Sequence, residues 1–214
     1  MGEVHQSVQL DFEPWSLALT NTQELLMTRN DVSPLIHKLS EDRRVTTFAS
    51  TSPAKAWNIS VSDSDEVFVS TNSREILVLN MSGDRVKQLS CGQDWCRIAC
   101  LTTGIVAVIT DGVYWQKPKI IDKSDQVIHT WSGKLDSGKS ILRKGQNSIA
   151  CDNFGRVFVP DTYNNQVYVL PPRNDTMALL DKKHGITSPT AVCVDKCGDV
   201  WLGCIDGTVH VMQL

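Results

Sequence analysis

The chain has no run of eighteen apolar residues, which is about what a membrane-crossing helix needs. Its first residues, Met1-Gly2-Glu3-Val4-His5-Gln6, hold no basic segment followed by an apolar stretch, so they do not read as a secretory leader. Gly2 follows Met1, but Gln6 stands where myristoylation wants Ser or Thr. No Cys-x-x-Cys pair occurs among the seven cysteines, and that pair is the strong zinc signal. Gly-x-Ser-x-Gly, the P-loop and His-Glu-x-x-His are all missing, and the five histidines fall at unrelated positions. These absences leave little for a hydrolase, a nucleotide-binding enzyme or a metalloenzyme to work with. The expectation is no catalytic residue, no cofactor, no metal and no membrane.

What the sequence does contain is a unit of about 43 residues, recurring five times. It is plainest where Ile149-Ala150-Cys151-Asp152-Asn153-Phe154-Gly155-Arg156-Val157-Phe158-Val159 is answered by Val192-Cys193-Val194-Asp195-Lys196-Cys197-Gly198-Asp199-Val200-Trp201-Leu202. The same frame runs through Ile59–Val69 and Leu17–Met27, with a degraded copy over Ile98–Val108. Strand, turn, strand, loop, strand at this period marks an all-β β-propeller.

In each first strand, large apolar residues alternate with one shared small position: Ala18, Ser60, Ala99, Ala150 and Cys193. Period-two alternation means strand, and small residues suit the innermost strand, where sheets converge on an axis. The second strand is an apolar run (Val67-Phe68-Val69, Val157-Phe158-Val159, Val200-Trp201-Leu202), predicted to be buried on both faces. Third strands follow, such as Ile76–Leu79 and Val167–Leu170, and weaker outer strands at Val45–Phe48, Val86–Leu89 and Val127–Trp131.

The units span about 13–52, 53–94, 95–144, 145–186 and 187–214, one propeller domain over 13–214 of four-stranded, NHL-like blades. Residues 1–12 contain one short strand, Ser7-Val8-Gln9-Leu10, expected to close the ring as the outer strand of the last blade. Cys100, Cys151 and Cys193 fall in strands as small apolar residues, so the cysteines are expected to be free, in a reducing, cytoplasmic setting.

The stretch Ile149–Leu170, with Gly155-Arg156-Val157-Phe158-Val159-Pro160-Asp161-Thr162-Tyr163-Asn164-Asn165-Gln166-Val167-Tyr168-Val169, resembles the NHL repeat. That pattern is a strand, Asp-x-x-Gly, a strand ending near Asp, an Asn-rich loop and a Val-x-Val strand. Asp94-Trp95-Cys96-Arg97-Ile98-Ala99-Cys100 and the lengthened loop after Val108 look like the C-terminal propellers of invertebrate tripartite-motif (TRIM) proteins. The resemblance implies a recognition module that serves a RING, B-box and coiled coil with ubiquitin-ligase activity; this sequence carries none of those parts. It also implies six blades where five units are counted, a sixth requiring a longer chain.

Loops between second and third strands share a face with the inter-blade connections, and binding residues gather on such loops. That face takes Arg29, Asn30, Arg74, Tyr163, Asn164 and Asp206, with Trp57 and Trp95 at blade entries. Trp15 and Trp57 recur at one aligned position, which also suits plugs between blades, and Asn164-Asn165 also suits a turn. The third unit's loop is longer: Val106 to Ile120 is 14 residues against nine from Val67 to Ile76. It carries Tyr114, Trp115, Lys117 and Lys119.

Residues 117–144 hold seven basic side chains against three acidic, a local +4 within a chain of net charge −3. The expected function is non-enzymatic recognition of a protein partner on the loop face. Single-stranded RNA on the same aromatic and basic surface is the alternative, and a propeller hydrolase or lyase stands third.

Overall fold

The structure, a computed structural model, describes residues 7–31, 33–92, 96–101, 104–110, 118–131, 148–172 and 178–213. They form five antiparallel sheets, each a meander in sequence order. Blade one comprises β1 (Pro14–Leu19), β2 (Leu25–Arg29), β3 (Leu35–Leu39) and β4 (Val45–Ser50). Blade two comprises β5 (Ala56–Val61), β6 (Val67–Thr71), β7 (Glu75–Leu79) and β8 (Arg85–Ser90). Blade three comprises β9 (Cys96–Cys100), β10 (Val106–Thr110), β11 (Lys119–Ile121) and β12 (Val127–Thr130). Blade four comprises β13 (Ala150–Cys151), β14 (Val157–Asp161), β15 (Gln166–Leu170) and β16 (Ala178–Leu180). Blade five comprises β17 (Pro189–Val194), β18 (Val200–Cys204) and β19 (Val209–Met212). The chain is a five-bladed β-propeller.

The repeated register makes the blades superposable. The large residue of each first strand faces the second strand at one level: Leu17↔Met27, Ile59↔Val69, Ile98↔Val108 and Val192↔Leu202. Between first and second strands the chain turns in five residues, with a left-handed fourth residue: Gln23, Asp65, Gly104, Gly155 and Gly198. The first residue of the turn caps it from within. The side chains of Thr20, Ser62, Asp152 and Asp195 accept from the backbone N–H four residues on, at 2.8–3.1 Å. Glycine serves three of the left-handed positions because it has no Cβ to clash.

A blade is a sheet with two apolar faces, and it is stable only when both are covered. Among the described residues the core falls into four clusters, one at each junction between successive blades. Phe68, Ile76 and Val78 of blade two meet Ile98, Val106 and Val108 of blade three. Phe158, Val167 and Val169 of blade four meet Val192, Val200 and Leu202 of blade five. Trp131, fully buried, joins the cluster between blades three and four and donates its indole N–H to the Pro171 carbonyl at 3.0 Å.

Polar side chains lace the first strands together. Ser16 Oγ accepts from Ile59 N (3.2 Å), Asn58 Oδ1 from Ile98 N (2.8 Å), Ser60 Oγ from Cys100 N (3.0 Å) and Ser148 Oγ from Val192 N (3.1 Å). These bonds satisfy backbone donors that face the axis rather than a neighbouring strand.

Three expectations are corrected. Ser7–Leu10 forms no strand, and blade five has three strands among the described residues. The N-terminal segment is held on blade one instead. Phe12 stacks on His37 at 4.4 Å between ring centroids, the Arg29 guanidinium lies 4.9 Å from the Phe12 ring, and Asn30 N donates to Glu13 O at 2.9 Å. Second, β18 is not buried on both faces: Val200 and Leu202 are fully buried, yet Trp201 between them is 42% exposed. Third, Cys91 and Cys96 are joined by a disulfide across the loop from blade two to blade three, where free thiols are expected from the sequence.

This packing ranks two substitutions at one blade position. Phe158→Ala, in a fully buried core, should cost about 3–5 kcal/mol, the usual range for a buried aromatic. Trp201→Ala should cost at least about 2 kcal/mol less, since its ring has already lost part of its cover. Urea denaturation of the two variants checks the order; equal losses would contradict it.

Candidate functional site

Loops between second and third strands do lie on the same face as the inter-blade connections, tied by hydrogen bonds. Asn72 and Lys55 exchange two bonds, Lys55 N to Asn72 Oδ1 (2.8 Å) and Asn72 N to Lys55 O (3.2 Å). Cys91 N donates to Arg74 O at 3.0 Å, and Thr51 N to Pro34 O at 2.8 Å. Ser188 N reaches across blades to Asn165 Oδ1 at 2.7 Å, and Thr162 Oγ1 to Pro189 O at 2.6 Å. Loop positions are therefore set by the blades beneath them.

At the centre of the assembly is a cavity of about 1160 Å³, lined by all five first strands. The shared small residues Ala18, Ser60, Ala99, Ala150 and Cys193 are in its wall, as packing near an axis requires. On the loop side its mouth holds an aromatic and cationic cluster. Trp15 and Trp57 meet at 5.1 Å between centroids, tilted by 52°, across the junction of blades one and two. The Arg97 guanidinium lies 5.6 Å from Trp15 and 5.9 Å from Trp57. A cation at that range is attracted by the negative faces of the rings. Trp57 and Arg97 are half-buried and Trp15 is 39% exposed, so the cluster presents an apolar and positive rim to solvent.

The remaining predicted residues divide. Arg29 is paired with Asp31; that hydrogen bond raises the guanidinium pKa and lowers that of the carboxyl. Asn30 is occupied with Glu13, through its backbone N–H and its side chain (3.2 Å to Oε2). Arg74 sits in the β6–β7 turn with φ of 67°, beside a smaller hollow lined by Glu75, Gln88, Ser90 and Asp125. Lys119 is in β11 and donates its ammonium to the Cys91 carbonyl at 3.2 Å; burial lowers its pKa.

Tyr163 is 73% exposed at the tip of the β14–β15 loop. Asn164 beside it is fixed by the buried Asp161, which accepts from Asn164 N (3.1 Å), Asn164 Nδ2 (2.7 Å) and the Tyr168 hydroxyl (3.0 Å). Asn165 takes φ of 55°, a turn conformation. Asp206 accepts from Thr208 N at 2.9 Å in the β18–β19 turn, and that bond lowers its pKa. Tyr114, Trp115, Lys117 and Trp95 lie outside the described residues.

The face therefore joins Trp57 with Trp15 and Arg97 at the axis, and sets Tyr163 and Asp206 on blades four and five. Arg97 was not singled out from the sequence. Its signal is register: it occupies the position of Ser16 and Asn58, one residue before the large apolar residue of the first strand. Ile205, next to Asp206 on the same loop, is 68% exposed. Among the described residues, no three His, Cys, Asp or Glu side chains are placed to hold a metal ion.

The channel is also lined by thiols with unequal access. Burial pushes Cys100 up to about 12 and Cys151 well above the ordinary thiol range, while Cys197 is exposed. At pH 8 a thiol with a pKa near 12 is ionised in only about one molecule in 10⁴, and the thiolate is the reacting form. Iodoacetamide at pH 8 should therefore modify Cys197 in the folded protein and leave Cys100 and Cys151 untouched. Peptide mass mapping checks this, and early labelling of Cys151 would contradict its raised pKa.

Comparison with known proteins adds the fold alone. No protein-family model matches the chain, and no curated protein matches it in sequence. Among solved structures it resembles virginiamycin B lyase from Staphylococcus aureus, at 13% identity and a TM-score of 0.67, over 96% of this chain and 71% of that one. A chain of a nidogen/laminin complex is similar at 16% identity and a TM-score of 0.73, over 94% and 76%. A chain of a mitotic checkpoint complex is similar at 11% identity and a TM-score of 0.68, over 95% and 66%. At such identities these likenesses place the chain among β-propellers and assign it no activity.

Proposed function

We propose that this propeller is a non-enzymatic recognition module that binds a protein partner on its loop face, centred on the mouth of the channel. The observation that carries the reading is the cluster of Trp15, Trp57 and Arg97, flanked by the exposed Tyr163. Tryptophan, tyrosine and arginine are the residues that dominate binding energy at protein interfaces. Two solved propellers of similar shape come from protein complexes, which supports the same reading. The likeness to a lyase is one of fold, and the small residues at the shared wall position supply no acid, base or hard-metal ligand.

The finer proposal follows the NHL-like pattern of blade four. The module is the substrate-recognising part of a TRIM-type ubiquitin-ligase system, with RING and B-box functions supplied outside these 214 residues. Tyr114 and Trp115 on the lengthened loop belong to the proposed surface. Single-stranded RNA is the less favoured ligand, because Arg29 is paired with Asp31 and Lys119 is turned to a backbone carbonyl.

Affinity capture with the tagged chain, followed by quantitative mass spectrometry, tests the proposal. Trp15→Ala and Tyr163→Ala should each weaken the captured partner by about thirty-fold, the effect of losing about 2 kcal/mol at an interface anchor. Phe154→Ala should leave it unchanged, since Phe154 is 75% exposed but sits in the β13–β14 turn on the opposite face. Equal capture by all three variants would move the site elsewhere. A gel shift with random single-stranded RNA that weakens as salt rises would favour the RNA reading instead.

A further inference from the structure

One level of the channel wall departs from the device that laces the first strands. The residue before the large apolar position is Ser16, Asn58, Arg97, Ser148 and Ala191 in blades one to five, and all of them line the channel. Three do the same work. Ser16 Oγ accepts from Ile59 N, Asn58 Oδ1 from Ile98 N and Ser148 Oγ from Val192 N, in each case the N–H of the large residue one blade on. Arg97 cannot do this for Ile149, because a guanidinium has donors and no acceptor. Arginine at this level therefore forgoes a bond that its counterparts make. Its guanidinium lies instead by the rings of Trp15 and Trp57, at 5.6 and 5.9 Å. Charge along the channel is also divided. The wall's other charged residues, Asp63, Asp152, Asp195 and Lys196, belong to turns between first and second strands, at the hairpin end. Among the described residues of the wall, Arg97 is the one charge at the loop end.

We propose that the mouth binds an acidic peptide segment, with a carboxylate on the Arg97 guanidinium and the segment's apolar atoms against Trp15 and Trp57. The inference rests on the loop-face reading and names the chemistry of its ligand. A guanidinium offers five N–H donors in a planar fork that matches the two oxygens of a carboxylate, so it takes one beside the contacts it already makes. The indole rings hold water away from the pair, which strengthens the attraction. With its cation at the loop end and three carboxylates against one ammonium at the hairpin end, the channel draws an anion in from the loop side. A nucleic-acid strand fits this mouth less well. Its phosphates call for a track of cations, whereas the same face carries Glu13 and Asp206, and Arg29 is neutralised by Asp31.

Fluorescence anisotropy with labelled synthetic probes tests the proposal. The probes are a short peptide of glutamates around one leucine, the same peptide with glutamine or with lysine in place of glutamate, and oligouridylate. The glutamate peptide should bind the parent about ten-fold or more tightly than the glutamine peptide, as one charge-assisted pair provides, and should weaken as salt rises. The lysine peptide should bind least. Arg97→Gln should erase the preference for glutamate while melting like the parent. Arg97→Lys, which keeps the charge and loses the fork, should retain part of it and decides the matter should Arg97→Gln unfold. Equal binding of the glutamate and glutamine peptides overturns the proposal, as does a glutamate preference that survives Arg97→Gln. Oligouridylate bound more tightly than the acidic peptide, and lost with Arg97→Gln, would overturn it in favour of phosphate. Capture of the cellular partner separates this inference from the reading beneath it. A partner lost with Trp15→Ala but kept with Arg97→Gln leaves the loop-face reading in place and overturns the acidic ligand.

Discussion

Everything in this molecule depends on the contact between one blade and the next. A four-stranded sheet of this size has too little interior to be stable alone, and its two apolar faces are covered only by neighbours. Among the described residues the core is accordingly not a single cluster but a succession of four. Each joins the inner strands of one blade to those of the following blade. The small side chains near the axis and the larger ones further out follow from the same constraint, since blades diverge from the axis like wedges. The Ser and Asn side chains that accept backbone N–H groups across the first strands are the polar counterpart, needed wherever the strand nearest the axis lacks a ladder partner.

That constraint also explains what could be read from the sequence. Apolar alternation, the shared small position and the glycine of the hairpin turn are imposed at every repeat, so five noisy copies reinforce one another. Three of the blades were legible through the apolar run of their second strands, and the outer strands of the first three through weak alternation. The outer strand of blade four, Ala178–Leu180, went unread because three residues carry no usable period. Trp201 was misjudged for a related reason. Its segment matches Val157-Phe158-Val159 in composition, but burial on the second face depends on a neighbour, and composition does not report whether one is present.

The fate of the N-terminal segment shows where local chemistry overrode pattern. Ser7-Val8-Gln9-Leu10 alternates as a strand should, yet the residues after it find stronger partners. Phe12 has a histidine ring to stack on and a guanidinium above it, and Glu13 engages Asn30. Those contacts arise only when β2 and β3 are already side by side, so no local window of sequence shows them. The cluster at the channel mouth was half legible. Trp15 and Trp57 stood out as a recurring pair, but Arg97 became visible only when three first strands were set in register.

The two ends of the assembly are under unequal constraint, and this is why recognition is sought on one of them. On the hairpin end, four of the five inner turns are closed by the same device, a side chain accepting from the N–H four residues later. A turn so specified has few free positions, and its Thr, Ser or Asp is already committed to the backbone. Among the described residues the loop end has no common device. Asn72 bridges to the neighbouring blade through its amide, Asp161 gathers Asn164 and Tyr168, and a disulfide spans Cys91 and Cys96. Each solution fixes the base of its loop and leaves the tip unassigned, as at Tyr163 and Ile205. A rigid scaffold with unassigned, aromatic-bearing tips around a cationic mouth is the arrangement in which side chains can be altered for a ligand at little cost to the fold.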